Sequence, residues 1–282
     1  MEVVTDPSEV QSLCLAERCS GRRLALVPTM GYYHEGHLSL MRWARQKADT
    51  LAVSLFVNPT QFGPGEDLES YPRDFEQDCR QAEAEGVDVL FAPSPEAMYA
   101  GDYATWVEVP DLSRNLCGRS RPGHFRGVCT VVIKLFNLTL PHMAVFGQKD
   151  WQQLAVITRM VRDLNLPVQV VGRPIVREPD GLAMSSRNVY LNQEERREAA
   201  SISQGLTKAR DWVREGFTGR EDLLARLNDF YARRMPSGRI DYLELVHPES
   251  LEPLESVEGP ALLAVAVRLG RARLIDNSLL QG

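Results

Sequence analysis

The sequence predicts an α/β protein, with a parallel sheet carrying helices on both faces and a smaller α+β domain after it. Three observations carry this expectation. Short apolar runs of strand length alternate with helix-length segments over residues 1–175, the pattern of βαβ units. The composition changes near Val176, where charged amphipathic segments take over. The length, 282 residues, suits one large domain or two modest ones.

The elements follow in order. Leu24–Pro28 (LALVP) reads as a short buried strand, then a glycine-containing turn and a helix over Gly36–Asp49. Leu51–Val57 (LAVSLFV) is a continuous apolar run of strand length. Residues 58–72 are dense in Pro, Gly and Asn and predict a long surface loop. Arg73–Glu85 reads as a polar helix and Val87–Ala92 as a buried strand. Phe125–Leu138 reads as an apolar helix, Ala144–Phe146 as a strand, Trp151–Leu164 as a helix and Val168–Val171 as a strand. Beyond the boundary, Asn192–Glu215 and Arg220–Arg234 are charged amphipathic helices, and Asp241–Val246 and Ala261–Leu269 are strand candidates. The expected domains are therefore 1–175 and 176–282. In a sheet of this kind ligands sit at the carboxyl ends of the strands, so the loops after strands matter most.

Composition excludes several classes. With 44% hydrophobic residues and no short Gly or Pro repeat, the chain is neither disordered nor fibrous. Its 32 Lys and Arg against 38 Asp and Glu give a net charge of −6. That balance disfavours broad nucleic-acid or anionic-membrane binding, although a small anion needs only local donors. No apolar run approaches the roughly 18–20 residues of a membrane span. The acidic start, MEVVTDPSEV, is not read as a secretory signal. Five cysteines at irregular spacing, with no CxxC pair, point to reduced thiols and a cytoplasmic location.

Four segments carry chemistry. The first, Pro28 to His37 (PTMGYYHEGH), follows a strand and opens a helix. His34 and His37 are three apart, on one face of the first turn, and Gly36 lets a ligand approach the backbone. Unpaired N–H groups and the positive dipole end favour a phosphate there. The second, Met184-Ser185-Ser186-Arg187-Asn188, follows Gly181 and offers two hydroxyls and a cationic fork. Together these two make the split phosphate clamp of HIGH/KMSKS-type nucleotidyl transfer. The third, Gly147-Gln148-Lys149-Asp150, lies where a strand ends and a helix begins; Asp150 is placed to cap that helix. Gln153 follows Lys149 by four residues, on the same face. The fourth, Phe56 to Gly63 (FVNPTQFG), places Gln61 at another strand end. His124, His142 and His247 read as structural, and Asp67, Glu69 and Asp74 as a solvated acidic loop.

PTMGYYHEGHLSL, FVNPTQFGPGEDLESYPRD, RPGHFRGVCTVV, FGQKDWQQL and DGLAMSSRN occur in this order, with IDYLELVHPESLEPLE near the end. Together they resemble the pantoate–β-alanine ligases over nearly the whole chain. The resemblance implies a Rossmann-like domain of the HxGH nucleotidyltransferase type, a C-terminal lid domain carrying the MSSRN loop, and a homodimer. It implies that ATP and (R)-pantoate give pantoyl adenylate and pyrophosphate, and that β-alanine then displaces AMP. By position, Met30, Gly31, His34, Gly36 and His37 match the ATP-binding segment, with His37 as proton donor. Gly147, Gln148, Lys149, Asp150, Val176, Met184, Ser185, Ser186 and Arg187 match further ATP contacts. Gln61 and Gln153 match the pantoate-binding glutamines. His34, His37, Lys149 and Arg187 are the expected catalytic set, and Mg²⁺ is the implied companion of ATP, with no metal ligand assigned. Tyr33, Trp151 and His247 depart from the family pattern.

The residues alone leave three rivals. An adenylyltransferase acting on a phosphate would use the same HxGH. A relative of class I aminoacyl-tRNA synthetases would need a tRNA-binding extension. A nucleotide-sensing module would need neither Gln61 nor Gln153.

Overall fold

The computed structural model describes residues 1–281. The chain divides into two compact units. The first comprises Met1–Asp111, Arg121–Gln148 and Val156–Pro174. The second comprises Leu112–Ser120, Lys149–Ala155 and the chain from Ile175 onward.

The first unit is built on six strands: β1 (Glu2–Val4), β2 (Leu24–Thr29), β3 (Thr50–Leu55), β4 (Val89–Phe91), β5 (Met143–Gly147) and β6 (Gln169–Arg173). Their order in the sheet is β1-β4-β3-β2-β5-β6, and every pair is parallel. The sheet order reverses at β2, which pairs with β3 on one side and β5 on the other. That switch point opens the crevice in which open α/β sheets bind ligands. The helices are α1 (Pro7–Cys19), α2 (Glu35–Arg45), α3 (Phe75–Ala84), α4 (Pro95–Met98), α5 (Pro110–Ser113), α6 (Cys117–Ser120), α7 (His124–Thr139) and α8 (Trp151–Asp163). Of these, α6 belongs wholly to the second unit, while α5 and α8 run across its boundaries.

Local chemistry explains the elements. Leu24, Ala25, Leu26 and Val27 of β2 are wholly buried, as a central parallel strand requires. Helix α2 turns Leu40, Met41 and Ala44 into a cluster with Val27, Val53 and Val145. It ends at Arg45 rather than Asp49, and Asp49 instead binds Arg23, the residue before β2. Its N–H donates to Arg23 O at 2.8 Å, and its carboxylate accepts from Arg23 N at 2.8 Å. The sequence reading passed over β1 and α1. Helix α1 starts where Asp6 accepts from Ser8 N and Glu9 N, with Pro7 in the first turn.

The second unit contains α9 (Gln193–Ala199), α10 (Ser201–Arg214), α11 (Arg220–Arg234) and an antiparallel sheet β7 (Arg239–Val246), β8 (Ala261–Leu269), β9 (Ala272–Leu280). Leu206, Leu223, Leu227 and Tyr231 from the helices pack on Leu245, Leu263, Val265 and Leu274 from the sheet. The single helix expected over Asn192–Glu215 is two, interrupted at Ala200. No Gly or Pro marks the break; the buried run Ala199-Ala200-Ser201 does not distinguish it from a continuous helix. Strand β9 was not expected, because Asp276, Asn277 and Ser278 interrupt its apolar pattern. Among the described residues no helix is long and apolar enough to cross a membrane.

Candidate active site

The HxGH segment begins where β2 ends. Gly31 (φ +83°) and Tyr32 (φ 53°) are both in the left-handed region, so the chain turns sharply toward α2. Asp78 of α3, buried, holds this turn. Its two carboxylate oxygens accept from Tyr32 N at 2.7 Å and Tyr33 N at 2.8 Å. Burial pushes the Asp78 carboxyl above its ordinary value, while the two backbone donors pull the other way. A Cβ on Gly31 would lie 2.8 Å from Asp78 Oδ2, so both φ and space require glycine.

His34 is the N-cap of α2. Its Nδ1 accepts from Gly36 N at 3.1 Å, and His37 Nδ1 accepts from His34 N at 3.4 Å. The pair makes a capping box with imidazoles in place of hydroxyl and carboxylate. With Nδ1 accepting, each neutral ring carries its proton on Nε2. The rings stack with centroids 4.1 Å apart and an interplanar angle of 30°. Beneath them Tyr33 is buried, its ring 5.7 Å from that of His37, and its hydroxyl accepts from Thr29 Oγ1 at 3.4 Å. The departure at Tyr33 therefore fills space below the histidines and leaves their donors in place.

Gln61 ends a 3₁₀ turn, Pro59–Gln61, that follows β3. Asn58 Nδ2 donates to Gln61 Oε1 at 3.2 Å, and Gln61 Nε2 donates to Met30 Sδ at 3.0 Å. Met30 and Gln61 thus meet, as two of the expected site residues. The RPGHFRG motif anchors the same residue from its backbone side. Gln61 O accepts from His124 Nδ1 at 2.8 Å and from Arg121 Nη2 at 3.2 Å. Since Nδ1 donates, His124 Nε2 accepts from Arg121 Nη1 at 3.1 Å. Glu66 takes Arg121 at 2.5 and 2.8 Å. A cleft of about 280 Å³ opens beside Met30, at the carboxyl ends of β2, β3 and β4, with Phe56, Arg73, Asp78 and Pro93 in its walls. Gly147 ends β5, the strand beside β2, and Gln148 opens the next turn.

The second unit holds the remaining expected residues. Lys149 and Asp150 lie in a 3₁₀ turn before α8 and pair at 3.2 Å. Gln153 is half-buried in the first turn of α8. Its neighbour Gln152 is a buried clamp instead. Gln152 Oε1 accepts from Cys117 N, and Nε2 donates to Leu112 O and Asn115 O. Residues 176–184 form a tight hairpin around Gly181 (φ +95°), in which Met184 N donates to Val176 O at 3.0 Å. Two residues 8 apart in the chain are thereby brought side by side. Ser185 Oγ accepts from Arg187 N at 3.3 Å, and Ser186 is buried.

Strand β9 ties these pieces together. Asp276 grips Arg177 of the hairpin at 2.7 and 3.0 Å, and Asn277 Nδ2 donates to Lys149 O at 3.0 Å. Sequence reasoning missed Asp78, Asp276 and Asn277, and the contact of Asn58 with Gln61. For Asp276 and Asn277 the signal available was a polar pair inside an otherwise apolar stretch; Asp78 gave none.

Other polar residues are occupied structurally. Asp74 caps α3, His142 Nδ1 accepts from Leu24 N, and His247 Nδ1 accepts from Glu249 N and Ser250 N. Trp151 Nε1 donates to Pro248 O at 2.8 Å. All five cysteines are free, and burial pushes Cys14 and Cys129 up to about 12. Among the described residues no group of three or more His, Cys, Asp or Glu gathers to hold a metal.

Comparison with known proteins agrees with this arrangement. A family model described as pantoate-beta-alanine ligase matches residues 2–279. A pantothenate synthetase of Oleidesulfovibrio alaskensis is 61% identical over 98% of this chain and 99% of its own. One from Maridesulfovibrio salexigens is 59% identical over the full length of both. The crystal structure of pantothenate synthetase from Thermus thermophilus superposes with a TM-score of 0.94 at 46% identity, covering all of both chains. That of the Francisella tularensis ligase, complexed with beta-gamma ATP and beta-alanine, does so with 0.83 at 31%, covering 99% and 97%. A sheet that reverses at β2, a histidine-capped α2 and full-length matches of this strength lead to one conclusion: the chain belongs to the pantoate-beta-alanine ligase family.

Proposed function

We propose that this chain joins (R)-pantoate to β-alanine through a pantoyl adenylate, with ATP consumed to AMP and pyrophosphate. The observation that carries the mechanism is the histidine pair at the head of α2. Both rings accept backbone N–H groups through Nδ1, so both present a protonated Nε2 without needing a positive charge.

In the first step a pantoate carboxylate oxygen attacks the α-phosphorus, and the bond to the β-phosphate oxygen breaks. Negative charge meets negative charge, so positioning and electrostatic donors supply the catalysis. His37 donates to the phosphate oxygens as charge shifts toward pyrophosphate, and His34 holds the neighbouring position. Lys149 follows the β- and γ-phosphates. Arg187, with Ser185 and Ser186, supplies the fork on the other phosphate oxygens. Met30, Gly31, Gly36, Gly147, Gln148, Asp150, Val176 and Met184 line the nucleotide, and Gln61 and Gln153 hold pantoate. In the second step the β-alanine amine attacks the acyl carbon, the carbon–oxygen bond to AMP breaks, and the amine gives up a proton. No cysteine is needed, which accords with the two thiols that burial keeps protonated.

An ATP-utilising ligase is consistent with a divalent metal, and we assign Mg²⁺. Mg²⁺ takes oxygen ligands and commonly binds through phosphates and water. In this reading the cation enters as the companion of ATP. There it would screen the phosphates. The functional domains we assign are 1–175 for ATP and pantoate and 176–282 as a lid carrying the MSSRN loop. We further assign a homodimer, from the family resemblance, and a cytoplasmic location, which suits five free thiols. The deciding experiment is mass spectrometry of the products from ATP, (R)-pantoate and β-alanine. Pantothenate with AMP supports the proposal; ADP, or a dinucleotide product, overturns it.

A further inference from the structure

The two ends of a glutamine amide are alike in shape and opposite in chemistry, so which end faces a substrate decides what it binds. The orientation of Gln61 is set from behind. Asn58 Oδ1 receives three donors: Thr60 N at 3.3 Å, Thr60 Oγ1 at 2.9 Å and the Tyr99 hydroxyl at 2.9 Å. Three donors require an oxygen at that position. Asn58 Nδ2 is therefore on the other side, donating to Gly127 O at 3.1 Å and Gln61 Oε1 at 3.2 Å. Gln61 must then turn its oxygen toward Asn58 and its Nε2 away, where it rests on Met30 Sδ. A thioether sulfur is a weak acceptor that an oxygen readily replaces.

We propose that Tyr99 is a positioning residue for pantoate, acting through Asn58 to hold Gln61 with Nε2 forward, so that Gln61 recognises an acceptor oxygen of the substrate. This rests on the assignment of Gln61 to pantoate. Tyr99 is suited to the role. Its ring is fixed edge-on to Tyr103 at 5.1 Å, packs 6.4 Å from Phe56, and lies 5.7 Å from Lys134 Nζ. Burial raises the phenol above its ordinary value, so it stays a donor. A phenylalanine at 99 keeps the ring contacts and loses only the hydroxyl.

The test is steady-state kinetics on Tyr99→Phe, Gln61→Ala, their double variant and Asn58→Asp, with pantoate and ATP varied in turn and Tm recorded. Loss of one neutral hydrogen bond predicts a rise in KM for pantoate of about three- to tenfold in Tyr99→Phe. KM for ATP and Tm should stay near wild type. In the Gln61→Ala background Tyr99→Phe should add nothing, since the group it orients is gone. Asn58→Asp still accepts from Tyr99 and Thr60 but cannot donate to Gln61, so it should raise KM for pantoate at least as much. An unchanged KM for pantoate in Tyr99→Phe or Asn58→Asp, an equal rise in both KM values, or full additivity in the double variant each overturns the relay. Gln61→Ala with unaltered KM for pantoate instead overturns the assignment of Gln61, and the proposal with it.

Discussion

Replacing Asp78 by Asn tests how the HxGH turn is held. Asp78 is 1% exposed and takes two backbone N–H groups, from Tyr32 and Tyr33. Asparagine keeps one acceptor and turns an NH₂ toward the other amide, leaving one buried N–H facing a donor. A hydrogen bond to a charged group contributes about 1.5–3 kcal/mol net. Part of that loss is offset, because burial works against the ionised carboxyl. The expected net cost is about 1–2 kcal/mol, a fall in Tm of roughly 2–8 °C. The effect on rate should be larger than this suggests. Tyr32 sits at φ 53° only while those bonds hold it, and the α2 N-cap His34 follows two residues later. A displacement of the histidines by a fraction of an ångström should lower the adenylation rate by about tenfold or more. The assay is pantoate-dependent exchange of labelled pyrophosphate into ATP without β-alanine, beside thermal unfolding by circular dichroism. A variant with lowered Tm and wild-type exchange would confine Asp78 to stability. Wild-type values of both would show that the two bonds contribute nothing.

His37→Ala should lower kcat of adenylation by roughly 10²–10³, the usual cost of one transition-state donor, with the fold intact by circular dichroism; an unchanged rate removes His37 from the mechanism. Lys149→Ala should impair adenylation far more than attack of β-alanine on supplied pantoyl adenylate, because the β- and γ-phosphates have left by then; equal losses in both half-reactions contradict that role. Gln153→Ala should raise KM for pantoate, lower kcat and spare KM for ATP, by about 1–3 kcal/mol in kcat/KM; a defect wholly in ATP affinity would move Gln153 to the nucleotide. Gly127→Ala should destabilise the protein by about 1–3 kcal/mol, since its Cβ would lie 2.4 Å from Thr60 O; a Tm equal to wild type would show that α7 can move away from the Asn58–Gln61 turn.

Much of this protein was legible in its sequence, for a local reason. The central strands β2 and β3 are buried on both faces, so they read as largely apolar runs. Helix α11 and strand β8 fall where periodicity and a continuous apolar stretch put them. The HxGH and MSSRN segments stand out by residue type and spacing, and the ATP roles proposed for them rest on that pattern together with the family resemblance. Tertiary structure decided what depends on partners far away in the chain. Strand β9 has Asp276 and Asn277 in its middle, and these are tolerated because Arg177, nearly a hundred positions earlier, and the Lys149 carbonyl satisfy them. His124 reads as any loop histidine until its ring is found donating to Gln61 O. Asp78 looks like one acid among several on a polar helix until the turn at Tyr32 and Tyr33 closes over it. Periodicity reports which face of an element is buried. It does not report which buried polar group will meet a donor 45 residues away, and the positioning of the candidate site depends on such meetings.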